Sequence, residues 1–283
     1  VLANSGQGTR GQYLLDVAIQ PTAELDFSDL TVTTINAPSS ASSGETISIE
    51  WTVGNFGAVM TPVEDWTDRL VLSSNETYGD GDDIQLTAVA HNGTLAVDDA
   101  YNVQTNVALP IGIEGTYFLF VHTDFGGTVP EFIFESNNVR QSSDPLPVTL
   151  TPYADLTARD VSGPTEAIGG QEITVTWTVQ NVGPGTTGDG TPGGDVSNWV
   201  DRVLLSPSGD LGDLNNILLA DVERSQALTT DSDYQGSWSG SIPTGLTGDY
   251  HIVVVTDSEN AVFEFDQEDN NSSRTTSPLS ITL

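Results

Sequence analysis

The sequence contains no cysteine, and its seven basic residues are all arginine. Without cysteine, the chain can form neither a disulfide framework nor a thiolate metal site. It also lacks any apolar run that approaches the roughly 18 residues needed to span a bilayer, so we expect no membrane insertion. No long segment repeats apolar residues with a helical period, which favours many short strands joined by turns.

Positive charge is scarce in comparison with negative charge. The chain has 40 acidic residues and a formal net charge of −33. Such a surface repels nucleic acid and anionic lipid, so we expect neither as a partner. It also repels itself unless cations or salt screen it. Specific divalent-cation sites and adaptation to a salty exterior both stay open as explanations, and either one indicates a secreted, extracellular protein.

An internal repeat organises most of the chain. In the first part of each copy the matching residues lie 126 positions apart, as Trp51 and Trp177 do. In the second part they lie 133 positions apart, as Asp68 and Asp201 do. The change in spacing indicates an insertion of seven residues in the second copy, in the glycine-rich stretch 188–194. Only an exposed loop accommodates an insertion of that composition.

Each copy has the alternating pattern of half-buried strands. Around Trp51, the apolar residues Ile47, Ile49 and Val53 alternate with polar ones, which is the period of a strand with one buried face. Turn residues separate such runs at the spacing of a sandwich. We therefore predict an all-β protein with two tandem immunoglobulin-like β-sandwiches, preceded by a single N-terminal strand. The predicted units are residues 1–28, 29–150 and 151–283.

The N-terminal segment carries one further strand pattern at residues 12–20. Its apolar residues, with which it would interact with a partner, are Tyr13, Leu15, Val17 and Ile19. A lone strand exposes unpaired backbone groups, so this strand must join a sheet. It is either the last strand of an upstream domain or a donor strand that inserts into another subunit. The expected partners are accordingly neighbouring domains or other copies of the chain.

Five short segments stand in a fixed order, and all but the first, which ends in Ala158 in the second copy, recur in both copies. They are Asp-Leu-x-Val, Trp-Thr-Val-x-Asn-x-Gly, Trp-x-Asp-Arg with a following apolar run and Leu-Ser, Gly-x-Tyr, and Val-x-Glu-x-x-x-Glu-x-Asn-Asn. In order and spacing they resemble CARDB, the cell-adhesion-related domain found in bacteria. The resemblance covers nearly all of residues 29–283 as two tandem copies. It implies an immunoglobulin-like sandwich found in arrays within large secreted or surface proteins, and it implies no particular ligand.

The loop after the Leu-Ser segment is acidic and glycine-rich in both copies. Calcium takes six to eight oxygen ligands from closely spaced carboxylates, amides and carbonyls, which these loops supply. A solvated turn is the alternative, because turns consist of the same residues. The candidate calcium ligands are Asp80, Asp82 and Asp83 in the first copy and Asp210, Asp213, Asn215 and Asn216 in the second.

The closing motif supplies a second candidate cation site. Glu131 and Glu135 are an even number of residues apart, so on a regular strand they face the same way. That face could also hold Asp68, and three such carboxylates would repel unless a cation or Arg69 lay between them. A structural ion pair with arginine is the alternative. The cation ligands predicted here are Asp68 and Glu131, with Asp201 and Glu264 in the second copy.

The sequence offers little support for catalysis. The three histidines do not recur between the copies, and no serine lies in a nucleophile-elbow context. Trp51 and Trp177 are interpreted as core residues. Trp66 and Trp199, beside the variable loop, are expected to be partly exposed, and a sugar-stacking role follows as a hypothesis.

These observations lead to one prediction with two alternatives. The predicted function is a non-catalytic structural or adhesive module of a bacterial extracellular or cell-surface protein, stiffened by calcium. One alternative is a filament subunit that polymerises by donating its N-terminal strand. The other is a carbohydrate-binding accessory module of a secreted enzyme, with cell-surface or matrix glycans as partners.

Overall fold

The computed structural model describes residues 26–283. Within this range the chain is all-β, and its single helical element is the 3-10 turn Glu268–Asn270. No helix among these residues has the length and apolarity to cross a membrane. The predicted N-terminal strand, with Tyr13, Leu15, Val17 and Ile19, lies outside the described residues.

The first sandwich consists of nine strands in two sheets. The strands are β1 (Leu30–Asn36), β2 (Ala41–Ser42), β3 (Thr46–Asn55), β4 (Asp65–Ser73), β5 (Ile84–Asn92), β6 (Ala100–Ala108), β7 (Gly115–His122), β8 (Val139–Gln141) and β9 (Leu146–Thr149). One sheet has the order β1-β3-β6, and the other has the order β2-β9-β7-β4-β5 with β8 also paired to β7. All pairings are antiparallel except that of β2 with β9.

The second sandwich repeats this arrangement strand for strand. Its strands are β10 (Leu156–Ser162), β11 (Glu166–Ile168), β12 (Glu172–Asn181), β13 (Asn198–Ser206), β14 (Ile217–Ser225), β15 (Asp233–Ser241), β16 (Gly248–Val255), β17 (Ser272–Arg274) and β18 (Leu279–Thr282). The sheets have the orders β10-β12-β15 and β11-β18-β16-β13-β14, with β17 paired to β16. The sequence prediction of two tandem sandwiches is therefore confirmed.

The cores form where the alternation predicts them. In β3, Ile47, Ile49, Trp51 and Val53 are buried, and the polar residues between them point outward or are half-buried. Trp51 and its counterpart Trp177 are almost wholly buried, as expected for core residues. Burial of such large apolar side chains is the main favourable contribution to folding.

A buried asparagine closes the end of each central strand. The Asn55 amide donates to the carbonyl oxygens of Val59 and Leu95 at 2.9 and 3.0 Å. Its oxygen accepts the backbone N–H groups of Asp29 and Gly57 at 3.1 and 3.0 Å. Each polar atom of this fully buried side chain thus has a partner, which a buried amide needs in order not to destabilise the fold. Asn181 makes the equivalent bonds in the second sandwich.

The linker between the sandwiches is fixed to the first one. Thr151 donates its backbone N–H to the Ser43 hydroxyl at 3.0 Å and its own hydroxyl to the Ser43 carbonyl at 2.6 Å. Both contacts are buried. The short linker therefore leaves the first sandwich in a defined direction.

The insertion of the second copy lies at the interface between the sandwiches. It forms a loop between β12 and β13, closed by the isolated bridge between Gly188 and Asp195. A Cβ placed on Gly190 would lie 2.9 Å from the Phe263 ring and 3.3 Å from the Ile111 side chain. Gly190 thus fills a space, between the two sandwiches, in which no larger residue fits.

Two glycines of the first sandwich let the second approach closely. Gly44 and Gly112 have left-handed φ angles of +73° and +70°. A Cβ on Gly44 would lie 2.7 Å from the Gly190 carbonyl oxygen, and one on Gly112 would lie 3.2 Å from Phe263. Glycine is therefore required at both positions, because it adopts the left-handed backbone conformation without strain and leaves room for the second sandwich.

Candidate functional site

The carboxylate of Asp68 lies in the core of the first sandwich and joins its two sheets. Asp68 is on β4, and it accepts hydrogen bonds from the Trp51 indole N–H and the Tyr101 hydroxyl of the opposite sheet at 2.8 and 2.9 Å. The Thr123 hydroxyl, next to β7, donates to its other oxygen at 2.8 Å. The side chain is fully buried. Its oxygens are occupied by donors that belong to the fold.

Asp201 makes the same contacts in the second sandwich. It accepts hydrogen bonds from Trp177 at 2.8 Å, Tyr234 at 2.7 Å and Thr256 at 2.8 Å. Burial raises the pKa of both aspartates, and the hydrogen bonds act in the opposite direction. Desolvation disfavours the charged form, whereas each donor favours it. The two residues that were predicted as cation ligands therefore occupy internal structural positions.

Glu131 and Glu264 bind the first strand of their own sandwich. The Glu131 carboxylate accepts the backbone N–H of Leu30, where β1 begins. Glu264 accepts the backbone N–H of Leu156 at 2.9 Å and the amide of Asn271 at 3.2 Å. Both glutamates are fully buried. Each of them fixes the start of a sandwich to its closing loop.

Burial strongly shifts the titration of these two glutamates. It raises the pKa of Glu131 to about 7 and that of Glu264 to about 8. Backbone and asparagine hydrogen bonds lower both values, and the neighbouring Glu135 or Glu268 raises them further. Within the described residues, one Glu131 oxygen has no hydrogen-bond donor, which disfavours the ionised form in the same way.

The expected strand through Glu131 and Glu135 is wrong. Residues 131–135 form a turn in which Phe132 has a left-handed φ of +57°. The Glu135 carboxylate accepts the backbone N–H of Glu131 at 3.0 Å, so the turn is closed by this side chain. The period-two argument failed because it assumed extended backbone on both sides of Phe132.

Arg69 does not form the ion pair that the sequence suggested as an alternative. Its guanidinium lies over the Phe125 ring, 4.0 Å from the centroid, which is a cation–π contact. Among residues 26–283, salt bridges involve Arg159 and Arg202. The buried carboxylates Asp68, Asp201, Glu131 and Glu264 thus make hydrogen bonds and, in this part of the chain, no salt bridge with arginine.

The acidic loop of the first sandwich brings three carboxylates together. One oxygen each of Asp80, Asp82 and Asp83 lies within 4.8 Å of the other two. The Asn75 amide donates to Asp80 and to Asp82 at 3.0 Å. The hydrogen bond with Asp80, and then that with the Ser74 hydroxyl, lowers the pKa of Asp82 to about 2. Asp82 is therefore ionised, and Asp80 is exposed to solvent. Carboxylate oxygens are the ligands that calcium prefers.

The corresponding loop of the second sandwich has a different arrangement. Asp213 accepts hydrogen bonds from Ser208 at 2.8 Å and from the backbone N–H of Asn215 at 2.9 Å. The Asn216 amide donates to the Asp210 carbonyl at 2.9 Å. These contacts close turns, and in the described part of the chain no second group of three clustered carboxylates occurs.

An arginine also distinguishes the second loop from the first. The Arg274 guanidinium donates to the Ser208 carbonyl at 3.1 Å and packs against Gly209. The first sandwich has Gln141 at the matching position. A fixed positive charge at this loop disfavours a bound cation, so the two loops are not equivalent cation sites.

The tryptophans that suggested sugar stacking are not exposed. Trp66 and Trp199 are each 3% exposed. Trp66 stacks on the His91 ring at 4.0 Å and donates its indole N–H to the Tyr101 hydroxyl at 2.9 Å. The expectation of partly exposed rings is therefore wrong, because Trp66 completes the network around Asp68 and Trp199 completes that around Asp201.

The alternation of inward and outward residues along β4 could have identified Asp68 as a buried residue. Trp66, Leu70 and Leu72 occupy the inward positions of this strand, and Asp68 lies in phase with them. An acid in phase with apolar residues indicates a buried, hydrogen-bonded group. The roles of Tyr101 and Thr123 had no such signal, because their contacts with Asp68 join strands distant in sequence.

The comparisons with known proteins agree with this architecture. The family model described as CARDB matches residues 27–142 and 153–274. These segments make up most of the chain, and the chain belongs to the CARDB family, with two tandem copies of the domain. No curated protein matches the chain.

The solved structures to which the chain is similar are distant in sequence. The CARDB domain of PF1109 from Pyrococcus furiosus, solved in complex with di-metal ions, shares 22% identity, with 44% of this chain and 96% of that domain covered at a TM-score of 0.33. Fibronectin(III)-like modules of CbhA from Clostridium thermocellum share 13% identity, with 89% and 94% covered at a TM-score of 0.27. Red sea bream transglutaminase shares 12% identity, with 90% and 31% covered at a TM-score of 0.29. These likenesses concern the fold alone.

Replacement of the internal aspartate tests its role. We expect Asp68→Asn to lower the free energy of unfolding by about 2–5 kcal/mol, because an amide N–H₂ would face buried donors that then lack an acceptor. The exposed Asp65→Asn on the same strand is the control and should change it by less than about 0.5 kcal/mol. Denaturant unfolding of the first sandwich measures both. Equal stabilities of the two variants would contradict the assigned role.

The raised pKa values of the two glutamates predict a pH dependence. The usual value for glutamate is 4.5, and the folded values are about 7 and about 8. The folded state therefore binds protons more tightly than the unfolded chain, so their contribution to stability is complete below about pH 4.5 and is lost as pH rises to about 8. In the double variant Glu131→Gln, Glu264→Gln, we expect the free energy of unfolding to decrease much less than in wild type between about pH 4.5 and about pH 8.

Comparison with wild type isolates the two glutamates from other titrating groups. The lowered pKa of His122, caused first by burial and then by Arg69, acts in the opposite direction but is present in both proteins. Thermal unfolding at steps between pH 4 and 9 measures the difference. Parallel stability curves for wild type and variant would show that these carboxyls do not titrate in the stated window.

Proposed function

We propose that the chain is a non-catalytic structural module of a bacterial extracellular or cell-surface protein, in which two sandwiches act as one stiff unit. The observation that carries this proposal is the interface at Gly190. There the insertion of the second copy packs between Ile111 of the first sandwich and Phe263 of the second. A stiff unit of two domains needs such a contact, because a linker alone leaves two domains free to move relative to each other.

The burial and the hydrogen bonds of the repeated acidic residues support a structural function. The four repeated acids Asp68, Asp201, Glu131 and Glu264 are buried and bonded to the fold itself. A general acid or base must instead reach a substrate. A strongly acidic chain also suits an extracellular location, where salt screens its charge.

Stiffness is tested by a distance measurement between the sandwiches. The chain has no cysteine, so spin labels attach only at introduced ones. Glu50→Cys and Thr176→Cys place labels at matching, exposed positions on the two central strands. Pulsed electron resonance should give one narrow distance distribution. A distribution as broad as that of a flexible linker would contradict the proposal.

Two glycine variants give this experiment a matched pair. Gly112→Asn places a side chain where even a Cβ would lie 3.2 Å from Phe263. Gly245→Asn changes the equivalent left-handed glycine of the second sandwich, where a Cβ meets no atom within 4 Å. We expect only Gly112→Asn to broaden the distribution and to lower the unfolding midpoint, by about 2–8 °C.

The acidic loop supports a second property, the binding of calcium by the first sandwich. The cluster of Asp80, Asp82 and Asp83 carries this proposal. A bound cation would also reduce the repulsion among these carboxylates. The contrast with the second sandwich, where Arg274 lies on the loop, leads us to propose one site per chain rather than two.

Calcium binding is tested by titration of the folded chain. We expect calcium to raise the unfolding midpoint of wild type, and Asp80→Asn with Asp82→Asn to abolish the increase. The control Asp210→Asn with Asp213→Asn should retain it. Calorimetry should give about one ion per chain. The absence of any calcium-dependent shift in wild type would refute this site.

Polymerisation by donation of the strand at residues 12–20 stays a proposal, because that strand lies outside the described residues. The carbohydrate-binding alternative has lost the feature that suggested it, since Trp66 and Trp199 are buried.

A further inference from the structure

An arginine that occurs in both sandwiches has an acidic partner in only one of them. In the second sandwich, Arg202 on β13 donates to both oxygens of Asp221 on β14, at 2.8 and 3.1 Å. The matching residues of the first sandwich are Arg69 and Ala88, which lie opposite each other on β4 and β5. The first copy has thus kept the guanidinium and has no carboxylate on the neighbouring strand.

The hydrogen-bonding capacity of Arg69 is not used within residues 26–283. Its guanidinium lies 4.0 Å from the centroid of the Phe125 ring, and none of the salt bridges in this range involves it. The Nε atom is buried and has no acceptor there. A buried donor without an acceptor destabilises a protein, so an acceptor brought to this position by a ligand would be bound favourably.

Arg69 lines a pocket between β4, β5, β7 and the acidic loop. The pocket has a volume of about 440 Å³, which is within the range of small-molecule sites. The other polar and aromatic residues that line it are Tyr78, Asp83, Gln85, His122 and Phe125. At the matching positions the second sandwich has Leu211, Asn216, Leu218, Val255 and Ser258. This combination of groups therefore belongs to the first sandwich alone.

His122 adds a second hydrogen-bond donor beside Arg69. The two residues lie opposite each other in the pairing of β4 with β7. The Nδ1 atom of His122 is 2.9 Å from the Tyr78 hydroxyl. When that hydroxyl donates to Nδ1, the Nε2 atom of the neutral ring carries the proton and can donate. With the Gln85 amide, the pocket thus has three side chains that can donate hydrogen bonds to one anionic group.

Asp83 gives the same pocket an acceptor. Its Oδ2 atom accepts the backbone N–H of Gly79 at 2.6 Å, whereas its Oδ1 atom is buried and has no donor in the described part of the chain. A hydroxyl group can donate to such an oxygen. A ligand that satisfies both Arg69 and Asp83 therefore carries an anionic group and a hydroxyl.

We infer that this pocket binds a hydroxycarboxylate, whose carboxylate lies against Arg69 and His122 and whose hydroxyl donates to Asp83. Uronic acid residues of acidic polysaccharides and free hydroxy acids share this chemistry. The planar guanidinium suits the two oxygens of a carboxylate, as the pair of Arg202 with Asp221 illustrates. The site goes beyond the proposed structural function and does not depend on the stiffness of the two sandwiches.

Titration with four small molecules tests the chemistry of the ligand. We expect D-galacturonate and L-lactate to bind with dissociation constants of about 1 mM and to shift the Nε–H resonance of Arg69. Acetate, which has no hydroxyl, should bind more weakly, and D-galactose, which has no carboxylate, should not bind. Tighter binding of galacturonate than of lactate would identify an acidic sugar as the ligand, and the reverse order would identify a free hydroxy acid.

Two arginine variants test which residue binds the carboxylate. We expect Arg69→Gln to weaken the binding of galacturonate at least about tenfold, because a charged hydrogen-bond donor is lost. Arg202→Gln removes the matching arginine of the second sandwich and should bind as wild type does. Calorimetry measures both affinities, and the unfolding midpoint of each variant shows whether it is folded. Equal affinities of the two variants would overturn the inference.

A third variant gives Arg69 the partner that Arg202 has. Ala88 is exposed on β5, so Ala88→Asp supplies a carboxylate of the chain itself without disturbing the core. We expect it to compete with galacturonate and to weaken binding at least about tenfold, with an unfolding midpoint no lower than that of wild type. Asn92→Asp adds the same charge at an exposed position further along β5 and should leave the affinity unchanged.

The remaining outcomes would contradict the inference. Unchanged affinity in Ala88→Asp, or an equal loss in Asn92→Asp, would mean that Arg69 does not bind the carboxylate. Binding of acetate as tight as that of lactate would exclude the contact with Asp83. Equal binding of galactose and galacturonate, or no shift of the Arg69 resonance with wild type and about 10 mM ligand, would overturn the site. The spin-label distances would still test the stiff unit separately.

Discussion

Each sandwich depends on one buried carboxylate that holds its two sheets together. Asp68 lies on β4 and receives the Trp51 indole and the Tyr101 hydroxyl from the opposite sheet. Removing a carboxylate from water costs several kcal/mol unless hydrogen bonds replace the hydration. Trp51, Tyr101 and Thr123 supply these bonds, and each of them is useful only in one relative position of the sheets. Apolar burial drives the sheets together, and Asp68 specifies how they meet.

A second buried carboxylate in each sandwich, that of a glutamate, fixes the first strand of the domain. Glu131 and Glu264 bind the backbone at the start of β1 and β10. The bond of Glu264 comes directly after the linker, whose Thr151 is held by Ser43. The chain is therefore fixed on both sides of the junction. Together with the insertion at Gly190, these contacts are the basis for the proposal that the two sandwiches act as one unit.

The repeat, the strand-rich fold and the core tryptophans could be predicted because they depend on local periodicity. The period of β3 gave the buried face of Trp51, and the composition of 188–194 indicated a loop. The environment of each acid depends instead on contacts between distant strands. Asp68 lies 33 residues from Tyr101 and 55 from Thr123, so a single sequence contains no sign of their contact. The turn at Phe132 was missed because its left-handed residue is not a glycine.

The two copies agree in the interior and differ at the surfaces. The Asp68 and Asp201 networks are alike, whereas the acidic loops differ through Arg274 and the ends differ through the insertion. A scaffold that keeps its internal bonds tolerates change in its loops, because loops add little to the packing of the core. The differences between the copies are therefore the better guide to what each does. They give the first sandwich the clustered carboxylates, and they give the second the insertion that contacts Ile111 of the first.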